Sequence, residues 1–309
     1  MLSSPPQLPT RRYASMELCI AGLLALLYVP LIWHWVDGWL NKSISIQHEY
    51  FSHGLLGIPF AVYLAWGARR RWQQLEDRLH PAGVAFFVLA ILFYGSGTAD
   101  LMNLSLPLML IGLCWLLKGT AGVRLQAFPL LLIGLATPTQ LPYLIEPYIL
   151  PLQRFIAAIA GFILLQLGID VEVNEIYLSV NQQLVEVAPH CAGLKMLFTS
   201  FYMGLILTYW AELYVSKLRT GLFFAGIVFI SVTGNILRNT ILSFFHGNSM
   251  ESAFHWLHES WGGDLYSAAM LGSLIVLVRL IERFVPIHLK VQNVEPVAST
   301  PQPHPPYDF

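Results

Sequence analysis

The sequence predicts an all-α polytopic membrane protein, with about eight transmembrane helices and one short external β-hairpin-like segment. Three observations lead there. Of 309 residues, 56% are hydrophobic and only 11% are charged, and mean hydropathy is +0.59. A soluble chain carries about 25% charged residues. The apolar residues fall in long runs separated by short polar loops, and roughly 20 such residues cross about 30 Å of hydrocarbon. The basic residues gather on one side of those runs. The net charge of −1 argues for neither nucleic acid nor a strongly charged partner.

Candidate spans are 16–36, 53–67, 81–99, 101–117, 124–138, 191–210, 219–245 and 263–284. The first run is too long for a signal-peptide core, and Trp33, His34 and Trp35 follow it rather than a small-residue cleavage site, so it reads as a retained helix. A further stretch, 147–168, contains Pro147, Pro151, Gln153 and Arg154 and suits an interfacial or re-entrant helix, although it is long enough to span. Positive charge favours the non-spanning alternative. With eight spans and both termini inside, Arg11, Arg12, Arg69, Arg70, Arg71, Arg78, Lys118, Arg124, Lys217, Arg219, Arg279, Arg283 and Lys290 all face the cytoplasm. That is 13 of 17 basic residues, as the positive-inside rule requires. Lys42, Arg154, Lys195 and Arg238 remain towards the outer face. The organisation is then a disordered cytoplasmic tail over 1–15, one transmembrane domain over 16–285 and a Pro-rich cytoplasmic tail over 286–309.

Residues 169–190 become an external segment. Val171 and Val173 alternate with charges, and Ile176, Leu178 and Val180 continue at period two. Asn181, Gln182 and Gln183 make a turn before Leu184 to Val187. This pattern predicts a small β-hairpin.

Three polar groups fall at the outer face: His190-Cys191-Ala192-Gly193-Leu194-Lys195 opening the sixth span, Gly234-Asn235-Ile236-Leu237-Arg238-Asn239 near the outer end of the seventh, and His255 to Gly263 in the loop before the eighth. An arginine inside a span is costly unless it meets a partner or water, which makes Arg238 a functional candidate. Cys19 and Cys114 sit near the inner ends of their spans, so Cys191 has no disulfide partner. At a helix start the helix dipole lowers a thiol pKa. Thiol, imidazole and guanidinium at one depth are the parts of a cysteine acyl-transfer site. Plainer alternatives stand beside this one: His255 and His258 lining a loop, Arg238 pairing with Glu186 or Asp264, Cys191 as packing. A zinc site from His190, Cys191, His255 and His258 lacks a tight ligand signature, and no metal or cofactor is expected. A transporter or channel with Arg238 lining a polar pathway is the rival from another class, weakened because the two halves do not mirror each other. A membrane assembly factor without chemistry is a third.

At these residues the sequence resembles the exosortase/archaeosortase family of membrane cysteine transpeptidases. The family's Cys-small-Gly motif matches Cys191-Ala192-Gly193, with Ala where Ser is usual. Its Asn-x-x-Arg motif matches Asn235-Ile236-Leu237-Arg238. Its His followed four residues later by Gly matches His258 and Gly262; His255 lacks that Gly. Tyr50-Phe51-Ser52-His53-Gly54, Arg69-Arg70-Arg71, Pro151-Leu152-Gln153 and Leu167-Gly168-Ile169 are similar to upstream family features. The likeness covers roughly 45–285, and the Trp261-Gly262-Gly263 run is similar to a cyanobacterial subtype. The resemblance implies Cys191 as nucleophile, His258 as acid and base, and Arg238 stabilising the thiolate or oxyanion, with Asn235, Gly193, Gly262 and His190 in support. It implies substrates that are secreted proteins with a C-terminal sorting tail: a motif such as Pro-Glu-Pro, a transmembrane helix and a basic end. Cleavage at the motif and transfer to an acceptor nucleophile, whose identity the sequence leaves open, would take place at the extracytoplasmic face of the plasma (inner) membrane.

Overall fold

The structure is a computed structural model that describes residues 10–40, 50–187, 193–258 and 260–286. Its helices, in chain order, are α1 (Thr10–Leu40), α2 (Gly54–Gly67), α3 (Arg69–Gln74), α4 (Pro81–Tyr94), α5 (Ala99–Leu125), α6 (Ala127–Ala136), α7 (Leu141–Ile145) and α8 (Leu150–Gln166). Strands β1 (Val171–Asn174), β2 (Tyr177–Val180) and β3 (Gln183–Glu186) follow. Then come α9 (Leu194–Trp210), α10 (Lys217–Gly247), α11 (Glu251–His258) and α12 (Trp261–Phe284).

The side chains are sorted as in a membrane protein. Large apolar residues point outwards along the helices, Leu26 being 75% and Trp33 72% exposed. Polar residues turn inwards: Asn103, Ser105, Lys118, Gln153, Arg219, Ser231, Asn235 and Asn239 are all buried. Hydrocarbon cannot hydrogen-bond them, and several of them tie separate segments together. Trp35 Nε1 donates to Asn103 Oδ1 at 2.7 Å, and Asn103 Nδ2 donates to Pro138 O at 3.0 Å, tying α1, α5 and the end of α6 together. Tyr28 donates to Ser105 Oγ at 3.1 Å. At the other end of α5, Lys118 Nζ donates to Asp77 Oδ1 at 2.6 Å and to Leu75 O at 3.0 Å.

Four helical stretches, Gly22–Leu40, α5, α10 and α12, are long and apolar enough to cross a bilayer. With the shorter apolar helices α2, α4, α6 and α8, they make the chain a polytopic membrane protein. A helix also lies on each of the other expected spans, but α2 and α4 have 14 residues, α6 has 10 and α9 has 17. At 1.5 Å per residue these fall short of about 30 Å, so helix length does not establish the expected count of eight. Helix α1 begins at Thr10. The expected loop before the eighth span contains the eight-residue helix α11.

The segment expected to be external holds a three-stranded antiparallel meander, β1-β2-β3, rather than a hairpin. Val171 pairs with Val180, and Tyr177 with Glu186. Asn181 and Gln182 both have positive φ, 48° and 69°, which gives the two-residue turn whose twist suits a hairpin. That turn grips the end of α10: Asn181 Nδ2 donates to Gly247 O at 3.2 Å. A side chain on Gly247 would drive into Val180, whose backbone oxygen lies 2.9 Å from the ideal Cβ position.

Both ends of α8 are held to this sheet. Gln153 Nε2 donates to Val187 O at 2.8 Å. Gly161 meets Val173, whose Cγ2 lies 2.3 Å from an ideal Cβ on the glycine. The helix closes at Gly168 (φ 77°), where the Ile169 and Gly168 N–H groups donate to Leu164 O and Leu165 O, a Schellman-type end. Gly161→Ala should therefore overpack this contact and cost about 1–3 kcal/mol. Val173→Ala in the same chain should return most of it, since the next nearest atom to the new methyl is Leu178 Cδ2 at 3.5 Å. Thermal melts of the single and double variants in detergent check this; an unrescued double variant would show that α8 and β1 are not in contact.

Candidate active site

Helix α10 supplies the floor of the site. Ser231, Asn235, Asn239 and Ser243 recur every four residues and are 2%, 1%, 5% and 1% exposed, so they form one buried polar stripe. Asn239 Nδ2 donates to Asn235 O at 2.8 Å and Thr240 Oγ1 to Ile236 O at 2.8 Å, so the Asn239 amide and the Thr240 hydroxyl each bond back to their own helix.

The start of α9 lies on that stripe. Gly193 has φ 81° and ψ 10° and no side-chain hydrogen bond caps the helix; its carbonyl accepts from Leu197 N–H at 2.8 Å. An ideal Cβ on Gly193 would sit 2.6 Å from Asn235 Cγ and 2.9 Å from Asn235 Nδ2. Glycine is thus required twice, for the left-handed backbone and for the space the carboxamide takes. Cys191, His190 and Ala192 lie outside the described residues. The chain limits how far Cys191 can be from this contact: two residues span at most about 7 Å.

Arg238 follows Asn235 by three residues on α10 and is half-buried. Among the described residues its electrostatic neighbour is Tyr266 of α12. The Tyr266 hydroxyl donates in turn to Gly234 O, and Met270 covers Gly234, its Sδ 2.3 Å from an ideal Cβ there. Gly234 is therefore where α12 docks on α10, directly beside Asn235. Sequence reasoning missed Tyr266 and Met270; the one signal was a tyrosine in the first turns of the eighth span.

His258 reaches the same half of α10 by another route. It ends α11 and stacks on Phe254 (5.1 Å, 13°), whose ring is also 5.4 Å from His246 of α10. Gly262 lets α12 begin against the last turn of α11: an ideal Cβ would lie 2.6 Å from both Trp256 O and its ring. That is the local reason for a glycine four residues after His258. Upstream, Tyr50 lies 6.5 Å from Phe198, and His53 stacks at 4.3 Å on Tyr202 while donating to Leu135 O at 3.2 Å. The Tyr50-to-Gly54 segment thus packs on the first turns of α9. Among the described residues no three His, Cys, Asp or Glu side chains cluster as metal ligands.

The structure therefore joins Gly193 to Asn235 and puts Arg238 one turn further along α10. His258 and Gly262 sit on the α11–α12 turn packed against α10. The transmembrane exosortase (EpsH) family model matches residues 35–275, a span that contains every one of these residues. The chain belongs to the transmembrane exosortase family. No curated protein and no solved structure matches it. As an exosortase it is a multi-pass membrane transpeptidase of protein sorting, a family whose substrates are secreted proteins with tails.

The exosortase's glycines give a direct test of this packing. Gly262→Ala should displace α11 and lose most processing. Gly272→Ala, on the same helix with nothing within 4 Å of its ideal Cβ, should keep full processing and melt slightly higher. Processing of a secreted, tailed reporter, with melting of each purified variant, reads both; equal activity in the two would dissociate Gly262 from the site.

Proposed function

We propose that this exosortase is a cysteine transpeptidase working through an acyl-enzyme at Cys191. The observation that carries the reading is the Gly193–Asn235 contact, because Gly193 follows Cys191 by two residues and meets the helix that bears Arg238. The Cys191 thiolate attacks the carbonyl carbon of the scissile amide, a C–S bond forms, and the carbonyl electron pair moves onto oxygen. His258 as imidazolium protonates the leaving nitrogen as the C–N bond breaks, releasing the C-terminal tail and leaving a thioester. An acceptor nucleophile, deprotonated by His258, then displaces the thiol. Arg238 stabilises the thiolate or the developing oxyanion. The substrate is a secreted protein ending in a Pro-Glu-Pro-like motif, a transmembrane helix and a basic segment. No resident metal or cofactor takes part.

The topology that goes with this reading has eight spans, cytoplasmic termini and the active site at the extracytoplasmic face of the inner membrane. Its support is the distribution of 13 of 17 basic residues. Reporter fusions at Arg71, Lys118 and Lys217 should report cytoplasm and a fusion at Gln182 the outside; a cytoplasmic signal at Gln182 overturns the orientation.

The chemistry is tested by a substitution series. Cys191→Ser should insert normally and lose processing, since a hydroxyl is far less acidic than a thiol, whereas Cys19→Ser and Cys114→Ser should process nearly normally. Arg238→Lys keeps the charge but loses the planar fork, and should cost roughly a hundred- to a thousand-fold in rate if the guanidinium serves the oxyanion. In Arg238→Gln, alkylation of Cys191 shifts to higher pH if the guanidinium holds the thiolate, and is unchanged if it serves the oxyanion alone. Full turnover in Cys191→Ser removes the mechanism; full turnover in both Arg238 variants reduces the site to a Cys–His pair.

A further inference from the structure

We infer that Asn235 is a further catalytic residue, whose Nδ2–H donates to the substrate carbonyl oxygen as it becomes an oxyanion. The inference rests on the Cys191 reading and adds a second, uncharged donor to it.

The observation is an amide with no protein partner. Asn235 is 1% exposed, yet neither Oδ1 nor Nδ2 has a hydrogen-bond partner among the described residues. Asparagine is a poor helix former, and a buried amide left unbonded is costly. Its neighbours show that the carboxamide has not simply been misplaced in the helix. The backbone carbonyl of Asn235 accepts from Asn239 Nδ2 at 2.8 Å. The adjacent Gly234 carbonyl accepts from Tyr266. The backbone around Asn235 is therefore satisfied, while the side chain is held against Gly193, within 3.0 Å of an ideal Cβ there.

That placement suits an oxyanion donor. The carboxamide lies against Gly193, which follows the nucleophile by two positions in the chain. A neutral amide needs no counter-ion in a low-dielectric site, and a donor unbonded at rest gains its hydrogen bond only as charge develops on oxygen. Such differential binding lowers the barrier instead of tightening the ground state. In the attack step the C–S bond forms, the carbonyl π pair moves to oxygen, and Nδ2–H donates to that oxygen. When the C–N bond breaks the pair returns, the nitrogen leaves with the proton from His258, and Asn235 is unbonded again.

The test is Asn235→Leu, which keeps the size and removes both polar atoms. It is made in the full chain, co-expressed with a secreted reporter carrying a Pro-Glu-Pro motif, a transmembrane helix and a basic end. Processing should fall roughly a hundred- to a thousand-fold, while the melting temperature of the purified protein stays the same or rises, because an unbonded buried amide has been replaced by an apolar isostere. The pH profile of Cys191 alkylation should not move. Wild-type processing overturns the inference. So does a lowered melting temperature or failure to fold, which means that the amide has a structural partner at rest. A shifted alkylation profile overturns it too, since Asn235 then acts on the thiol. Cys191→Ser in the same assay separates the two levels: if it is active the acyl-enzyme reading falls, and if it is inactive while Asn235→Leu is active only the role of Asn235 falls.

Discussion

The fold around the site depends on one constraint: the polar stripe of α10 cannot face lipid. Ser231, Asn235, Asn239 and Ser243 stand four residues apart on a helix whose opposite face carries residues such as Phe229, 71% exposed. A polar side chain in hydrocarbon costs more than most packing contacts return, so the stripe fixes the rotation of α10 about its axis. Once that rotation is set, Gly234 is the point at which α12 can approach, Asn235 is the surface that the start of α9 must cover, and Gly247 is where the sheet edge lands. Each of these three neighbours meets α10 at a glycine of its own or of α10.

The same constraint explains where irregular backbone is found. Open strands and turns have no place against lipid unless other protein covers them. The meander sits on the last turn of α10 and along α8, with Leu178, Val180 and Val187 completely buried. Their burial joins the sheet to a core that also contains Trp35 of α1, Leu106 of α5 and Ile236 of α10. The sheet is thus a plug that closes one end of the helix bundle. The other end is closed by polar ties of a different kind, with Lys118 on Asp77, and Arg219 Nε donating to Val285 O at 2.7 Å.

What the sequence shows follows from which forces are local. Hydropathy located a helix on every expected span because burial of long apolar runs needs no knowledge of partners. It did not fix their lengths, because α4 and α6 stop at Gly95 and Thr137, whose effect depends on neighbours. Helix α11 was hidden: eight residues with two histidines read as loop, and Phe254 stacked between His246 and His258 is a tertiary feature. The break between β1 and β2 was hidden too: period two runs on through Ile176, and no glycine marks the tight turn at Glu175, whose φ is 58°. Within the site, the Cys-Ala-Gly, Asn-x-x-Arg and His-x-x-x-Gly patterns were each legible. The reason for their glycines was not: Gly193 answers to Asn235 and Gly262 to Trp256, contacts between segments that one-dimensional spacing does not register.

The glycine that opens α9 also bears on the electrostatics of the proposed reaction. A helix start is usually capped by Ser, Thr, Asp or Asn, whose side chain consumes one of the free N–H groups. Gly193 has no side chain, and no side chain caps α9, so the partial positive charge of a 17-residue helix is left to whatever anion forms beside it. The contact that forbids a Cβ, through Asn235, therefore also forbids a cap. The proposed reaction then has three sources of positive potential to draw on: the α9 amides, the Asn235 carboxamide and the Arg238 guanidinium. Only the last carries net charge. Burying several cations in so apolar a protein would cost more in desolvation than the anion could return, whereas amide dipoles are already held in place by the packing of α9 on α10. A thiolate and an oxyanion form in turn during acyl transfer, and fixed dipoles serve both without having to move.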